Sequence, residues 1–367
     1  MLKLRKLLLP ILLLVLSTVS FGQVTTSSIT GVVKDKNGTA LDGATVKITN
    51  TQNGSVKFSK SDKNGRFNVP NLDPGGPYVV NVTYVGFIIQ ERNDIYLQLG
   101  TIENIEFLAL TSESELQTVV VTGRPTRTIK TGTSSNFNQR VIDSIPNISR
   151  NISNVTTLVP QAGGGNSFGG RDGRYNNIQI DGANFNNNFG LSSNALPGGA
   201  VQPISIDAID EISVNISPFD VRQANFTGAG INATTKKGTN NFRGSVYGFY
   251  RDQSLLGTQA VGQKIPTVTQ SKSQTIGALI GGPIIKNKLF FFVSVEKVDI
   301  SQPGLVWQAS RPGVTPDANT TRVRASALDS VSNYLQSKYG YATGPYENLG
   351  NYQTNNEKIL GRLDWII

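Results

Sequence analysis

The chain has 367 residues, enough for two or three domains, and only 16% of them are charged, against about 25% in ordinary soluble proteins. It contains no cysteine and no histidine, which excludes disulfides, thiol catalysis, a cysteine lipid anchor, Ser-His-Asp chemistry and almost every zinc site. The formal charge of +9 falls to +6 once Lys3, Arg5 and Lys6, in a segment expected to be removed, are set aside; the other basic residues are scattered, so no nucleic acid is expected as a partner.

Residues 1–22 open with those three basic side chains, continue as an apolar run over 7–16 and end on small residues at Ser20 and Gly22. This is the pattern of a secretory signal peptide cleaved after Gly22. Its apolar run is shorter than the roughly 20 residues of a spanning helix, and no other stretch approaches one. A mature protein that enters a membrane must therefore do so as a barrel.

Residues 23–111 read as a small β-sandwich. Alternating runs at 29–33, 44–48, 66–69, 78–84 and 105–110 are separated by Asn37-Gly38, Asn53-Gly54, Asn64-Gly65 and Pro74-Gly75-Gly76. Asn-Gly supplies the positive backbone angles of tight hairpins, so antiparallel pairing is expected. The stretch GVVKDKNGTALDGATVKI and the later SDKNGRFNVPNLDPGGPYVVNVTYVGF resemble the carboxypeptidase-regulatory-like, transthyretin-like module. That family name implies no peptidase here, because the zinc ligands would need histidine.

Residues 112–138 change character. Thr118, Val119, Val120, Val121 and Thr122 form a β-prone run before a polar, basic stretch. Such a run is a hazard as a bare edge, and is useful where another protein adds a strand to it. An ordinary linker strand packed on its own domain is the other reading.

Residues 139–240 have short apolar-periodic pieces at 141–145 and 152–158, the second stopped by Pro160, and read as a mixed α/β domain. Glycine-rich turns then bracket the strand Asn177-Ile178-Gln179-Ile180-Asp181. A phosphate loop is not indicated, since no Gly-Lys-Ser/Thr follows. A strand is expected over 211–216, and the segment closes on FTGAGINATTKKG.

Residues 241–367 carry β-prone runs of ten residues at 242–251, 273–282, 289–298 and 358–367, the length a tilted strand needs to cross a bilayer. The connections between them alternate long, short and very long, as in barrels with short periplasmic turns and long external loops. Phe290, Phe291 and Phe292 follow the short turn, where an aromatic girdle is expected. About four strands cannot close a barrel, so the chain reads as the N-terminal part of a longer barrel protein.

The ordered series IDGANFN, IDAIDEISV and FTGAGINATTKKGTNNFRGSVYGFYRD resembles the plug and first barrel strands of TonB-dependent outer-membrane receptors of the Bacteroidetes type. The resemblance implies a mainly β protein in the outer membrane: sandwich, plug over 139–240 and an incomplete barrel from 241. It makes Thr118–Thr122 the TonB box, which pairs with the periplasmic energy-coupling protein TonB. It also implies active uptake of a siderophore, glycan, peptide or similar nutrient, with no catalytic step and no cofactor. Outer-membrane lipids and a surface substrate-binding lipoprotein are the further partners. Arg171, Asp172, Arg174, Asp181, Asn184 and Phe185 are candidates to face substrate, or to hold the plug to the barrel wall. The alternative function is a secreted or surface adhesin built on the sandwich.

Overall fold

The computed structural model describes residues 25–110, 119–120, 127–129, 132–147, 150–186, 202–218, 223–255, 257, 259–260, 263–264, 271–304, 307–317, 319–347 and 349–366. The expected signal peptide at 1–22, and Thr118, Val121 and Thr122 of the valine-rich run, lie outside them. The chain divides into two compact units. The first holds everything up to Arg243 together with Ile280–Val293 and Leu360–Ile367; the second holds Gly244–Leu279 and Ser294–Ile359.

In the first unit, seven strands make the sandwich: β1 (Ser27–Asp35), β2 (Thr45–Asn50), β3 (Val56–Lys60), β4 (Arg66–Leu72), β5 (Gly75–Thr83), β6 (Gln90–Leu97) and β7 (Ile102–Ala109). Period-2 alternation along β1, β2, β5 and β7 sends Ile29, Val33, Val46, Ile48, Tyr78, Val80, Ile105 and Phe107 into one core. Gly31 sits where a side chain would meet the Ile105 carbonyl and the Phe67 ring, so β1 and β7 can lie side by side. That pair is parallel, an exception to the antiparallel expectation. Its ends are joined through the whole sandwich rather than by a turn, so no hairpin geometry constrains it. Strands β3 and β6 were not legible in the sequence. Their apolar positions are few, and β3 is exposed almost throughout.

The segment after the sandwich does not run free. Val119–Val120 (β8) lies parallel to β6, and Arg127–Ile129 (β9) lies antiparallel to β7. The sandwich sheets are thus ordered β3-β2-β5-β6-β8 and β4-β1-β7-β9.

The next sheet runs β10-β13-β14-β11-β12, with β10 (Gly132–Asn138), β11 (Asn177–Ile180), β12 (Ala183–Asn184), β13 (Ile209–Pro218) and β14 (Gly230–Thr235). The apolar-periodic pieces are helices α1 (Gln139–Ser144) and α2 (Ile152–Thr156), each capped by an asparagine side chain that accepts a backbone N–H. Gln202 fastens α2, accepting from Ile152 N at 2.8 Å and donating to the Arg150 carbonyl at 2.8 Å. Every residue of β14 is buried, although the strand reads Gly-Ile-Asn-Ala-Thr-Thr.

The long strands are β15 (Arg243–Asp252), β18 (Lys272–Ile285), β19 (Leu289–Pro303) and β22 (Asn351–Trp365), in an open sheet in that order. The small pairs β16 (Gln259–Ala260) with β17 (Gln263–Lys264), and β20 (Gln308–Ser310) with β21 (Thr320–Arg324), lie in the connections. The last connection also carries α3 (Ala325–Tyr339), which the sequence reading missed because its sides are almost wholly solvated and leave no apolar stripe. Three long strands exceed the expected ten residues, at 14, 15 and 15. The extra residues, such as Asp299–Pro303 and Asn351–Glu357, are largely polar. Beyond the hydrocarbon a strand can continue without alternating in polarity.

The alternation in these strands is inverted relative to a soluble sheet. On β19, Ser294 and Glu296 point to the covered side, whereas Val293 and Val295 are exposed. On β22, Lys358 is buried while Ile359, Leu363 and Trp365 are exposed; on β18, Thr275 is buried and Ile276, Ile280 and Ile284 are exposed. Apolar out and polar in is the signature of strands facing lipid. Period 2 also corrects the girdle. Phe290 and Phe292 are buried at 1% and 2%, so one residue of the triplet, Phe291, is left for the outer face. Phe291 packs against Phe242 with ring centroids 6.2 Å apart, and Trp365, the last residue of β22, is exposed. Among the described residues no helix is long and apolar enough to cross a membrane, which says nothing about crossing by strands.

A charge on the outer face separates a membrane sheet from a soluble one. Ile276→Arg is expected to cost about 2–4 kcal/mol in a lipid-facing strand and to reduce the protein recovered from the outer-membrane fraction, whereas Ile276→Phe leaves it unchanged. In a soluble sheet the same exposed substitution would stay within about 0.5 kcal/mol. Quantitative immunoblotting of membrane fractions distinguishes the two.

Candidate functional sites

The six candidate plug residues fall into two groups at opposite ends of β11. Arg171, Asp172 and Arg174 precede the strand. Arg171 closes a tight turn with Phe168, each donating its N–H to the other's carbonyl at 2.9 and 3.1 Å. Asp172 caps the short 3-10 turn Gly173–Tyr175 and accepts from Arg174 N and Nε, both at 3.0 Å. These bonds to Arg174 hold the Asp172 carboxyl below its ordinary range. All three side chains are exposed.

Asp181, Asn184 and Phe185 follow the strand. A four-residue strand spans roughly 13 Å at about 3.3 Å per residue, so the two groups do not form one constellation. Asp181 (φ 47°) and Gly182 (φ 85°) are the central residues of the β11–β12 hairpin, the Asp-Gly turn that both positive angles favour. Asn184 accepts from Gln179 Nε2 at 3.0 Å, and Phe185 N donates to the Ile178 carbonyl at 2.8 Å. These contacts shape the hairpin.

The Asp181 carboxylate does more than turn the chain. It accepts from Thr235 N at 2.9 Å, from the Thr235 hydroxyl, and from the Arg362 guanidinium at 3.0 Å. Arg362 lies on the polar side of β22. It also donates to the Thr235 hydroxyl at 2.9 Å and to both oxygens of Asp364 at 3.0 Å. One guanidinium thus ties the Asp181 hairpin, the end of β14 and the last long strand together, its Nε shared between the two Asp364 oxygens. Beside it lies a cavity of about 320 Å³ lined by Asp73, Asp181, Lys237, Arg362 and Asp364 among others. The same junction joins the plug to the short turn after β18, where Asn240 and Asn287 exchange hydrogen bonds at 2.7 and 2.9 Å.

A second junction fastens the sandwich to the plug sheet. Glu211 on β13 is 3% exposed, and its Oε1 accepts from Leu99 N at 3.0 Å and from Asn136 Nδ2 at 3.1 Å. Asn136 Nδ2 also donates to the Leu99 carbonyl at 2.9 Å. Lys237 pairs with Asp73, and Asn240 N donates to the Gln52 carbonyl at 2.9 Å. Burial pushes the Glu211 carboxyl up to about 7, against the pull of its two donors, with the Asp210 charge adding to the rise.

Sequence reading missed Arg362 and Glu211. Arg362 was recoverable, since it falls in phase with Lys358 and Asp364 between the apolar Ile359, Leu363 and Trp365. Glu211 carries no such signal: in IDEISV nothing distinguishes the acid that becomes buried. Among the described residues no group of three or more acidic, His or Cys side chains is placed to hold a metal.

The raised Glu211 value makes the sandwich–plug contact pH-dependent. Docking favours the protonated acid, so its contribution is complete below the ordinary carboxyl value of 4.5 and is lost as pH rises toward about 7. The docking constant is expected to fall at most about tenfold per pH unit in that window and to level off above it. Exchange of the Leu99 amide, corrected for intrinsic rate, reports this directly, and Glu211→Gln should flatten the profile.

Comparison with known proteins agrees with this geometry. Residues 28–111 match the carboxypeptidase regulatory-like domain, and residues 234–365 match the outer membrane beta-barrel domain. The TonB-dependent transporter Oar of Myxococcus xanthus is 29% identical over 254 residues, which are 63% of this chain and 23% of Oar. The chain thus spans about a quarter of that relative's length. Among solved structures, the outer membrane transporter YddB of Escherichia coli is 15% identical, covering 63% of this chain and 30% of that one with a TM-score of 0.40. The siderophore receptor PirA of Acinetobacter baumannii is 19% identical, covering 46% and 24%, with a TM-score of 0.34. A carboxypeptidase regulatory-like domain stands ahead of an outer membrane beta-barrel domain, so the chain is an outer-membrane protein, similar in sequence to one TonB-dependent transporter.

Proposed function

We propose that the protein acts in TonB-dependent active uptake of a nutrient, a siderophore, glycan, peptide or similar solute, across the outer membrane. The observation that carries this reading is the Arg362–Asp181 contact. It seats a compact sheet against the polar side of a strand whose other side is apolar, which is the arrangement of a plugged channel. In this reading residues 139–240 are the plug, 241–367 the start of the barrel, and 112–138 the coupling segment. An outer membrane has no ATP, so the energy to move the plug must arrive mechanically through a periplasmic partner. TonB would engage the Thr118–Thr122 region. The exposed Arg171, Asp172 and Arg174 are the side chains most open to solute, and a substrate-binding lipoprotein at the surface is a further partner of this reading. An adhesin built on the sandwich gives no reason for the apolar outer faces of β18, β19 and β22.

The coupling step is tested with the protein extracted from its native outer membrane in detergent and the periplasmic domain of TonB from the same bacterium. Val120→Pro removes a strand N–H, which is expected to weaken binding by at least about tenfold while the amount in the outer membrane stays unchanged. Equal binding by Val120→Pro would remove Val119–Val121 from the coupling role.

A further inference from the structure

We infer that the N-terminal sandwich is the frame that presents the coupling strand: Val119–Val120 stays paired to β6 while a strand of TonB's periplasmic domain adds to its outer edge, so that one sheet runs from the sandwich into the partner. The inference rests on the coupling role proposed above and assigns the sandwich a part in it.

Three observations carry it. First, β8 is seated in register, with Gln90 opposite Val119 and Glu91 opposite Val120. Second, β8 is the last strand in the order β3-β2-β5-β6-β8, so among the described residues its outer edge has no neighbour. A strand held on one side and open on the other is already extended, and the partner need not meet the entropy of ordering it, about 1–2 kcal/mol per residue. Third, the segment is pinned to the same domain on both sides of β8. Before it, Ile88 N donates to the Leu110 carbonyl at 2.8 Å. After it, β9 pairs with β7, Ile129 opposite Ile102 and Arg127 opposite Asn104. The segment thus touches one sheet of the sandwich through β8 and the other through β9. A free tether would have no reason to return to the second sheet.

The occupant is a strand because the open groups are backbone N–H and C=O at strand spacing, and only an extended chain matches them. It is TonB's strand because the adjacent segment is the one assigned to energy coupling. The sandwich is itself fixed to the plug sheet by the Glu211, Leu99 and Asn136 bonds, so a load on β8 has a route into the plug through the folded domain as well as along the chain.

These 367 residues contain no cysteine, so within them an engineered pair has no native thiol to compete with it. Residues directly opposite in neighbouring strands lie within the Cα range a disulfide spans. The double substitution Gln90→Cys with Val119→Cys, in the full protein extracted from the outer membrane, locks β8 to β6 on oxidation. Glu91→Cys with Val120→Cys locks it from the opposite face should the first pair not fold. The probe is TonB's periplasmic domain, tested against wild type and against the reduced and oxidised forms. The expected result is that the disulfide forms readily and that the oxidised protein binds within about threefold of the reduced one, a difference under 1 kcal/mol. Binding that is lost on oxidation and restored by reductant means that β8 must leave the sandwich; it overturns the inference and leaves the coupling role intact. A folded protein in which neither pair oxidises also overturns it, because β8 is then not seated. Wild type that does not bind the probe sinks the coupling role itself, and the inference with it.

Discussion

A guanidinium on the inward side of a membrane strand has to be paired, because an isolated charge there is among the most costly groups a fold can carry. The long sheet meets this demand in two ways. Lys358 and Glu296 satisfy each other at 2.6 Å, with the Tyr247 hydroxyl donating to Glu296 at 2.8 Å. Arg362 instead finds Asp364 on its own strand and Asp181 on the plug hairpin. The first solution belongs to the sheet alone. The second makes the Asp181 hairpin part of the sheet's electrostatics, so that moving it would strip a partner from Arg362 and expose Thr235 and Asp181 together.

The hairpin suits that part because its shape is fixed by backbone rather than by packing. Asp181 and Gly182 hold positive φ, and β11 pairs parallel to β14, so that Asp181 arrives beside Thr235. A longer or looser turn would leave the carboxylate free to sample water. The cross-strand bonds of Asn186 to Ile178 N and to Asn177, both 2.7 Å, stiffen the return limb.

Much of the fold was legible because it rests on periodicity and on turn chemistry. The Asn-Gly turns and alternating runs gave the sandwich, and ten-residue β-prone runs gave the long strands. Where a signal depended on which face a residue takes, the reading went only partway: Phe290, Phe291 and Phe292 look equivalent in sequence, yet strict alternation sends two of them inward. Where it depended on tertiary partners, nothing was visible. Glu211 is a buried acid only because Leu99 and Asn136 close over it, and Asp181 looks like a turn residue until Arg362 arrives from 181 positions away. The valine-rich run is a case of two compatible readings. Strand addition and packing on its own domain are both open readings of the run, and β8 packs on β6 with no further neighbour among the described residues.

The segment between sandwich and plug has a graded hold. β8 has two residues, β9 three and β10 seven. At a net value of about 0.5–1.5 kcal/mol per hydrogen bond, each strand is harder to peel than the one before it. A pull applied near β8 along the chain would loosen β9 from β7 before β10 leaves β13. The third step differs in kind, because Asn136 lies in β10 and its amide bridges the Leu99 carbonyl and the Glu211 carboxylate. Peeling β10 removes that bridge and leaves Leu99 N on the Glu211 carboxylate, Lys237 on Asp73 and Asn240 N on the Gln52 carbonyl to hold the sandwich to the next sheet.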